Sequence, residues 1–142
     1  MDYNEEIDWE FPDYGYTTTD KAMLERAVKY AALHNSGGDV RVYAIATDKR
    51  GNILAQNGNT YLKSHPKQKH WCFMAKHVKR EFLHAETRTL IQALKSGKEI
   101  AKLYVARVDK SGKVKDSKPC EVCSFMIATE FPHLEVIWSR EK

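Results

Sequence analysis

LHAETRTLIQAL, residues 83–94, has the spacing of an amphipathic helix that turns Leu90, Ile91 and Leu94 toward a core and stops at Gly97. Its first turn is unusual. A histidine, His84, and a carboxylate two residues later, Glu86, stand where the chain enters the apolar interior. An acid near a helix N-terminus is favoured by the helix dipole, and a lone histidine there is ordinarily a hydrogen-bonded core residue. On this stretch alone, capping and chemistry are both open. The choice depends on what the rest of the chain can bring to it.

The complement is PCEVCSFMIATE, residues 119–130, which reads as a second helix with Pro119 near its first turn. Cys120 and Cys123 are three residues apart, so both sulfurs lie on one face of that turn. A helix N-terminus favours thiolate over thiol. If the two helix starts face each other across a sheet, His84, Cys120 and Cys123 can converge on one metal ion. A donor set of one nitrogen and two sulfurs suits Zn²⁺, and three protein ligands leave a coordination position for water, as in catalytic zinc sites. No second C-x-x-C and no H-x₃₋₅-H pair completes a four-ligand structural site. C-x-x-C is also a redox pattern, but the thioredoxin arrangement sets it after the first strand of a βαβ unit, and this one comes late. The remaining cysteine, Cys72, reads as a small packed residue.

Between and around these helices the chain alternates. TTTDKAMLERAVKYAALHNSGG predicts a helix capped by Thr19 or Asp20, ending near His34 at Gly37 and Gly38, with Ala22, Met23, Ala27, Tyr30 and Ala31 as its apolar stripe. Residues 40–47 and 52–57 form a hairpin about a turn at 48–51. Pro66 lies in a loop that leads into a short helix at 71–79. AKLYVARVD, from residue 101, is a third strand, followed by a turn at 111–113, and LEVIWS, from residue 134, closes the chain as a strand. The order α-β-β-α-β-α-β with short links indicates a layered α/β fold.

The chain has 142 residues, enough for one domain with a sizeable core. Residues 1–19 are set apart as an acidic, aromatic arm, and 20–142 as the folded domain. Seven acids and no Lys or Arg fall in residues 1–20, which leaves 23 basic against 12 acidic residues in the remainder. A body so basic either attracts phosphate-bearing partners or merely solubilises itself with lysine. No apolar run approaches the roughly 18 residues of a membrane span. The acidic start is unlike a secretory signal, so a cytoplasmic location is expected.

H-x-E followed by P-C-x-x-C is the signature of zinc nucleobase deaminases. Here it stands as HAE at 84–86 and PCEVC at 119–123. On these two motifs, each at a predicted helix start, the chain resembles the cytidine deaminase-like superfamily over about residues 20–139. KSHP from residue 63, LYVARV from 103 and SKPC from 117 are similar to phage and bacterial deoxycytidylate deaminase-like proteins.

The resemblance implies a three-layer α/β/α fold around a mixed sheet of about five strands. It implies one catalytic Zn²⁺ on His84, Cys120 and Cys123, and Glu86 as proton shuttle. Asn59 would hold the sugar, and the Ala85 backbone would meet the pyrimidine. It further implies hydrolytic deamination of a cytosine nucleotide or nucleoside, with dCMP preferred, and a homo-oligomer. The alternative is deamination of cytosine or adenine within single-stranded DNA or RNA. Residues 61–80, with six basic side chains, no acid, and Tyr61, Trp71 and Phe73, leave three readings open: a surface for single-stranded nucleic acid, a clamp for one nucleotide phosphate, or a solvated face with Trp71 in the core.

Overall fold

The structure, a computed structural model, describes residues 15–34, 36–75 and 82–140. The expected arm lies outside the described residues as far as residue 14. Helix α1 spans Thr18–Leu33, and its cap is Thr17, earlier than expected. The Thr17 hydroxyl accepts from the Asp20 N–H while the Asp20 carboxylate accepts from the Thr17 N–H, a reciprocal capping box. The apolar stripe is also rotated by one position. Leu24, Ala27, Val28 and Ala31 are buried at the i, i+3, i+4, i+7 spacing, whereas Ala22 is exposed.

Strands β1 (Arg41–Thr47) and β2 (Ile53–Gly58) form the expected antiparallel hairpin. Its turn is set by Asp48, whose Oδ1 accepts from the N–H groups of Arg50 and Asn52. β3 (Thr60–Ser64) pairs with β4 (Phe82–Leu83) in a small separate sheet, neither strand being anticipated. Helix α2 spans Pro66–Met74, starting five residues before the expected segment, of which 76–79 lie outside the described residues. Pro66 is the first residue of this helix rather than part of the loop before it, and the His65 imidazole caps it by accepting from the Lys67 N–H. Helix α3 is Ala85–Leu94, β5 is Lys102–Val108, β6 is Val114–Lys115, α4 is Glu121–Glu130 and β7 is Glu135–Trp138.

β5 is the hub of the main sheet. It pairs antiparallel with β1 along its whole length, parallel with β7 over its first half, and antiparallel with β6 at its end. This is the expected mixed five-stranded sheet. Alternation along β1 and β5 then sorts the two faces. Ile45, Tyr104, Ala106 and Val108, joined by Ile137 of β7, pack on α1. Ala44, Ala46, Leu103 and Val105 pack with α2, α3 and α4 on the other face. The alanines of β1 let α3 approach closely enough for Thr89 Oγ1 to donate to the Ala44 carbonyl at 3.3 Å. Helices on both faces make the α/β/α layering that was expected. No described helix is long and apolar enough to cross a membrane.

One polar knot ties α1 to the hub strand. Asp20, 2% exposed, accepts from the Tyr104 hydroxyl at 2.7 Å and from Lys102 Nζ at 3.0 Å. Burial pushes its carboxyl up, but the hydrogen bonds from Tyr104, Thr17 and Lys102 prevail and hold it below the usual value. A depressed folded value means the stabilisation is complete above about pH 4, the unfolded value, and is lost as pH falls through the folded one. Asp20→Asn is therefore expected to cost about 2 kcal/mol at pH 7 and to flatten the acid limb of the stability curve. Urea denaturation at pH 7 and pH 3 measures both.

Candidate active site

The two helix starts meet on the α3/α4 face of the sheet. His84 is the N-cap residue of α3 and Cys120 that of α4, yet neither side chain makes a capping hydrogen bond. That answers the question raised by the odd first turn: the imidazole is turned away from its own helix. His84 Nδ1 lies 3.4 Å from Cys123 Sγ and 3.6 Å from Cys120 Sγ. The three donor atoms lie within 4.8 Å of one another. A tetrahedral ion with Zn–S of about 2.3 Å and Zn–N of about 2.0 Å requires N···S separations of about 3.5 Å. The donors therefore stand at zinc spacing, and their chemistry, one imidazole and two thiols, fits that ion.

Electrostatics points the same way. The paired sulfurs act as one thiolate and one thiol. Cys120 accepts from Cys123 and is pulled down to about 3, against burial and with help from His84. Fully buried Cys123 is pushed well above the usual thiol range by the same pairing. All three cysteines are free of disulfides. Glu86, 6% exposed, sits in the first turn of α3 beside this set. Burial raises its carboxyl; His84 opposes the rise and Cys120 adds to it. A carboxyl held above its ordinary range inside a site is suited to passing protons to and from a substrate.

These groups open onto a cavity of about 370 Å³. His84, Ala85, Glu86 and Cys120 contribute its deep end, all but Cys120 being buried. Asn59 lines it from the link between β2 and β3. The Asn59 amide works as a piece of sheet: Oδ1 accepts from the Val42 N–H and Nδ2 donates to the Val40 carbonyl. Gly58 is needed just before it, because a Cβ there would fall on the His34 ring, which is bonded to the Asn59 carbonyl. Of the expected site residues, His84, Cys120, Glu86, Asn59 and Ala85 thus border one space, and Cys123 lies enclosed behind it.

The helix expectation needs one correction. Leu90 is buried, but Ile91 is only partly so and Leu94 is 46% exposed. The line of α3 that faces the sheet is Glu86, Thr89, Leu90 and Ala93. In the basic stretch, Trp71 is buried in the core and Phe73 is exposed, and none of the described lysines there lines the cavity. Lys76, Lys79 and Arg80 lie outside the described residues.

Sequence reasoning missed two supports. Gln68, wholly buried on α2, accepts from the His84 N–H through Oε1 and donates to Cys72 Sγ through Nε2. Ser117 donates to the Val105 carbonyl at 2.7 Å and shares a hydrogen bond with Ser139, which fixes the approach to Cys120. A glutamine and a serine in polar segments carry no signal in the sequence.

None of the curated proteins compared with the chain matches it. The family described as "Cytidine and deoxycytidylate deaminase zinc-binding region" matches residues 17–137, from the threonine that caps α1 to the penultimate residue of β7. With that span and a histidine and two cysteines gathered at zinc spacing, the chain belongs to this deaminase family and is a zinc-dependent hydrolase.

Proposed function

We propose that the protein deaminates cytosine at C4 in a free nucleotide or nucleoside, dCMP being preferred, to give the uracil form and ammonia. The observation that carries this reading is the buried Glu86 carboxyl beside the His84, Cys120 and Cys123 donors at the deep end of one cavity. Zn²⁺ held by those three residues supplies a Lewis acid that brings water to ionise near neutral pH. Glu86 takes a proton from the attacking water and gives it to N3 of the ring. It then takes the proton of the new C4 hydroxyl and delivers it to the amine, so that ammonia leaves and the C4 carbonyl remains. Asn59 orients the sugar with the donor hydrogen of Nδ2 that its bond to Val40 leaves over, and the Ala85 backbone meets the pyrimidine edge. Ser117 and Gln68 keep the helix starts in place while this happens.

The same reading includes a cytoplasmic location, since zinc-binding thiols persist in a reducing compartment. It also includes assembly with a second copy, for which exposed Phe73 and Met74 on α2 and Phe125 on α4 offer apolar surface.

The test is ammonia release from a panel of cytidine, deoxycytidine, CMP, dCMP, dCTP and single-stranded oligonucleotides containing cytosine or adenine. Turnover of dCMP above the others is the expected result. Turnover confined to oligonucleotides would replace the free-nucleotide reading with action on single-stranded DNA or RNA.

A further inference from the structure

We propose that Arg107 and Lys118 form a phosphate-recognition pair at the mouth of the cavity, which selects a free nucleotide carrying a 5′-phosphomonoester. The inference rests on the cavity being the deaminase pocket, and deepens that reading by naming what the outer end of the substrate must be.

Arg107 is placed by strand alternation. Along β5, Tyr104, Ala106 and Val108 face α1, whereas Leu103, Val105 and Arg107 face the site. The last of these positions carries a guanidinium where the first two carry aliphatic side chains. Its cross-strand partner, Val42, lines the same cavity, and Asn59 bonds to the backbone of Val42. Arg107 and the residue assigned to the sugar therefore flank β1 on opposite sides at the level of Val42. Lys118 arrives from the other direction, directly after Ser117, which is anchored to β5.

Both cations line the cavity and both are exposed, so they occupy its mouth while Glu86 lies deep. Neither has an ion-pair partner among the described residues, unlike Lys49, Lys102 and Lys110, which pair with Glu99, Asp20 and Asp39. One carboxylate, Asp116, shares the wall, and its Oδ1 is engaged by the Lys118 N–H at 2.9 Å. The mouth keeps a net positive charge. Tyr61 adds a phenol nearby: burial raises its pKa, and Arg107 is close enough to oppose that rise.

A terminal phosphomonoester carries close to two negative charges at neutral pH and three acceptor oxygens. A planar fork and a mobile ammonium together match that charge and geometry. A backbone phosphodiester offers a single charge. Buried Glu86 and Asn59 and the two exposed cations line one cavity, so a nucleotide with its base at Glu86 and its sugar at Asn59 would turn its phosphate toward the cations.

Product binding separates recognition from chemistry. In the zinc-loaded protein, dUMP is expected to bind about ten- to a hundredfold more tightly than deoxyuridine. The 5′-methyl ester of dUMP, with one charge, should fall between them. Arg107→Gln and Lys118→Gln should each draw the dUMP-to-deoxyuridine ratio toward one. Both residues are exposed and enter the fold through their backbone N–H groups, bonded to Ser139 Oγ and Asp116 Oδ1, so the variants should fold. Calorimetric titration reads the ratio. A ratio of one in the unaltered protein, a ratio that survives the double substitution, or a methyl ester bound as tightly as dUMP overturns the proposal, and none of these touches the deaminase reading. That reading fails separately, if no cytosine compound releases ammonia; a dUMP preference that depends on Arg107 would still sustain the phosphate site.

Discussion

Glu86→Gln is expected to keep its zinc and lose its turnover. Glutamine has the shape of glutamate and can still donate and accept hydrogen bonds, but it cannot take up a proton near neutral pH and hand it on. Proton transfer by a positioned group contributes about 10²- to 10⁴-fold, and Glu86 is here asked to act twice in one cycle, so kcat should fall at least to the upper end of that range. The three donors keep their own side chains and spacing, with His84 Nδ1 at the two sulfurs, and the glutamine amide can still hydrogen-bond where the carboxyl meets Cys123. Folding should not suffer either. Burial already works against the ionised carboxylate, and a neutral amide escapes that desolvation. Ammonia release together with metal content by mass spectrometry reads both halves. Undiminished turnover in the variant would remove Glu86 from the chemistry while leaving the zinc assignment in place.

Cys120→Ser, by contrast, is expected to lose the metal and the turnover together. A hydroxyl is not deprotonated in the place of a thiolate, so only two good donors remain, His84 Nδ1 and Cys123 Sγ. Zinc affinity should drop by several orders of magnitude, in keeping with how much of structural zinc binding rests on deprotonated ligands. The second readout is thermal. A ligand bound only by the folded state stabilises it by mass action. Added zinc should therefore raise the midpoint of the unaltered protein by about 5 °C or more, and that of the variant hardly at all. Cys120 is the better choice for the experiment because it is only partly buried, whereas Cys123 is enclosed and touches Thr87 Oγ1 at 4.0 Å. Equal zinc content in the variant and the unaltered protein would overturn the ligand set.

What the sequence disclosed most clearly was chemistry placed at helix starts. HAE and PCEVC each put an acid or a thiol where a helix N-terminus favours negative charge, and together they supply the one nitrogen and two sulfurs that suit a single zinc ion. The β1–β2 hairpin was legible because its turn is built by one local side chain, Asp48. The misreadings have a physical pattern. Leu94 was assigned inward because leucine usually is, but α3 spends its sheet-facing line on Glu86 and Thr89, and Leu94 falls outside it. Pro66 was placed ahead of the helix, in a loop, although proline fits well at the first position of a helix. The cations of residues 61–80 drew attention by density. Density does not say which way a side chain points, and the pair at the cavity mouth comes from elsewhere. A lone arginine in the apolar run LYVARV was the quieter sign, because it ends the site-facing side of an otherwise buried strand with a charge at the edge of the cavity.

His84 and Cys120 are 36 residues apart in the chain, and the stretch between them holds β5, the strand that touches β1, β6 and β7. A cation gripping both ends converts that stretch into a closed ring threaded through the middle of the sheet. Fraying of α4 then requires ejecting the ion, so local breathing at this end of the domain and exchange of the metal with its surroundings become one event with one rate.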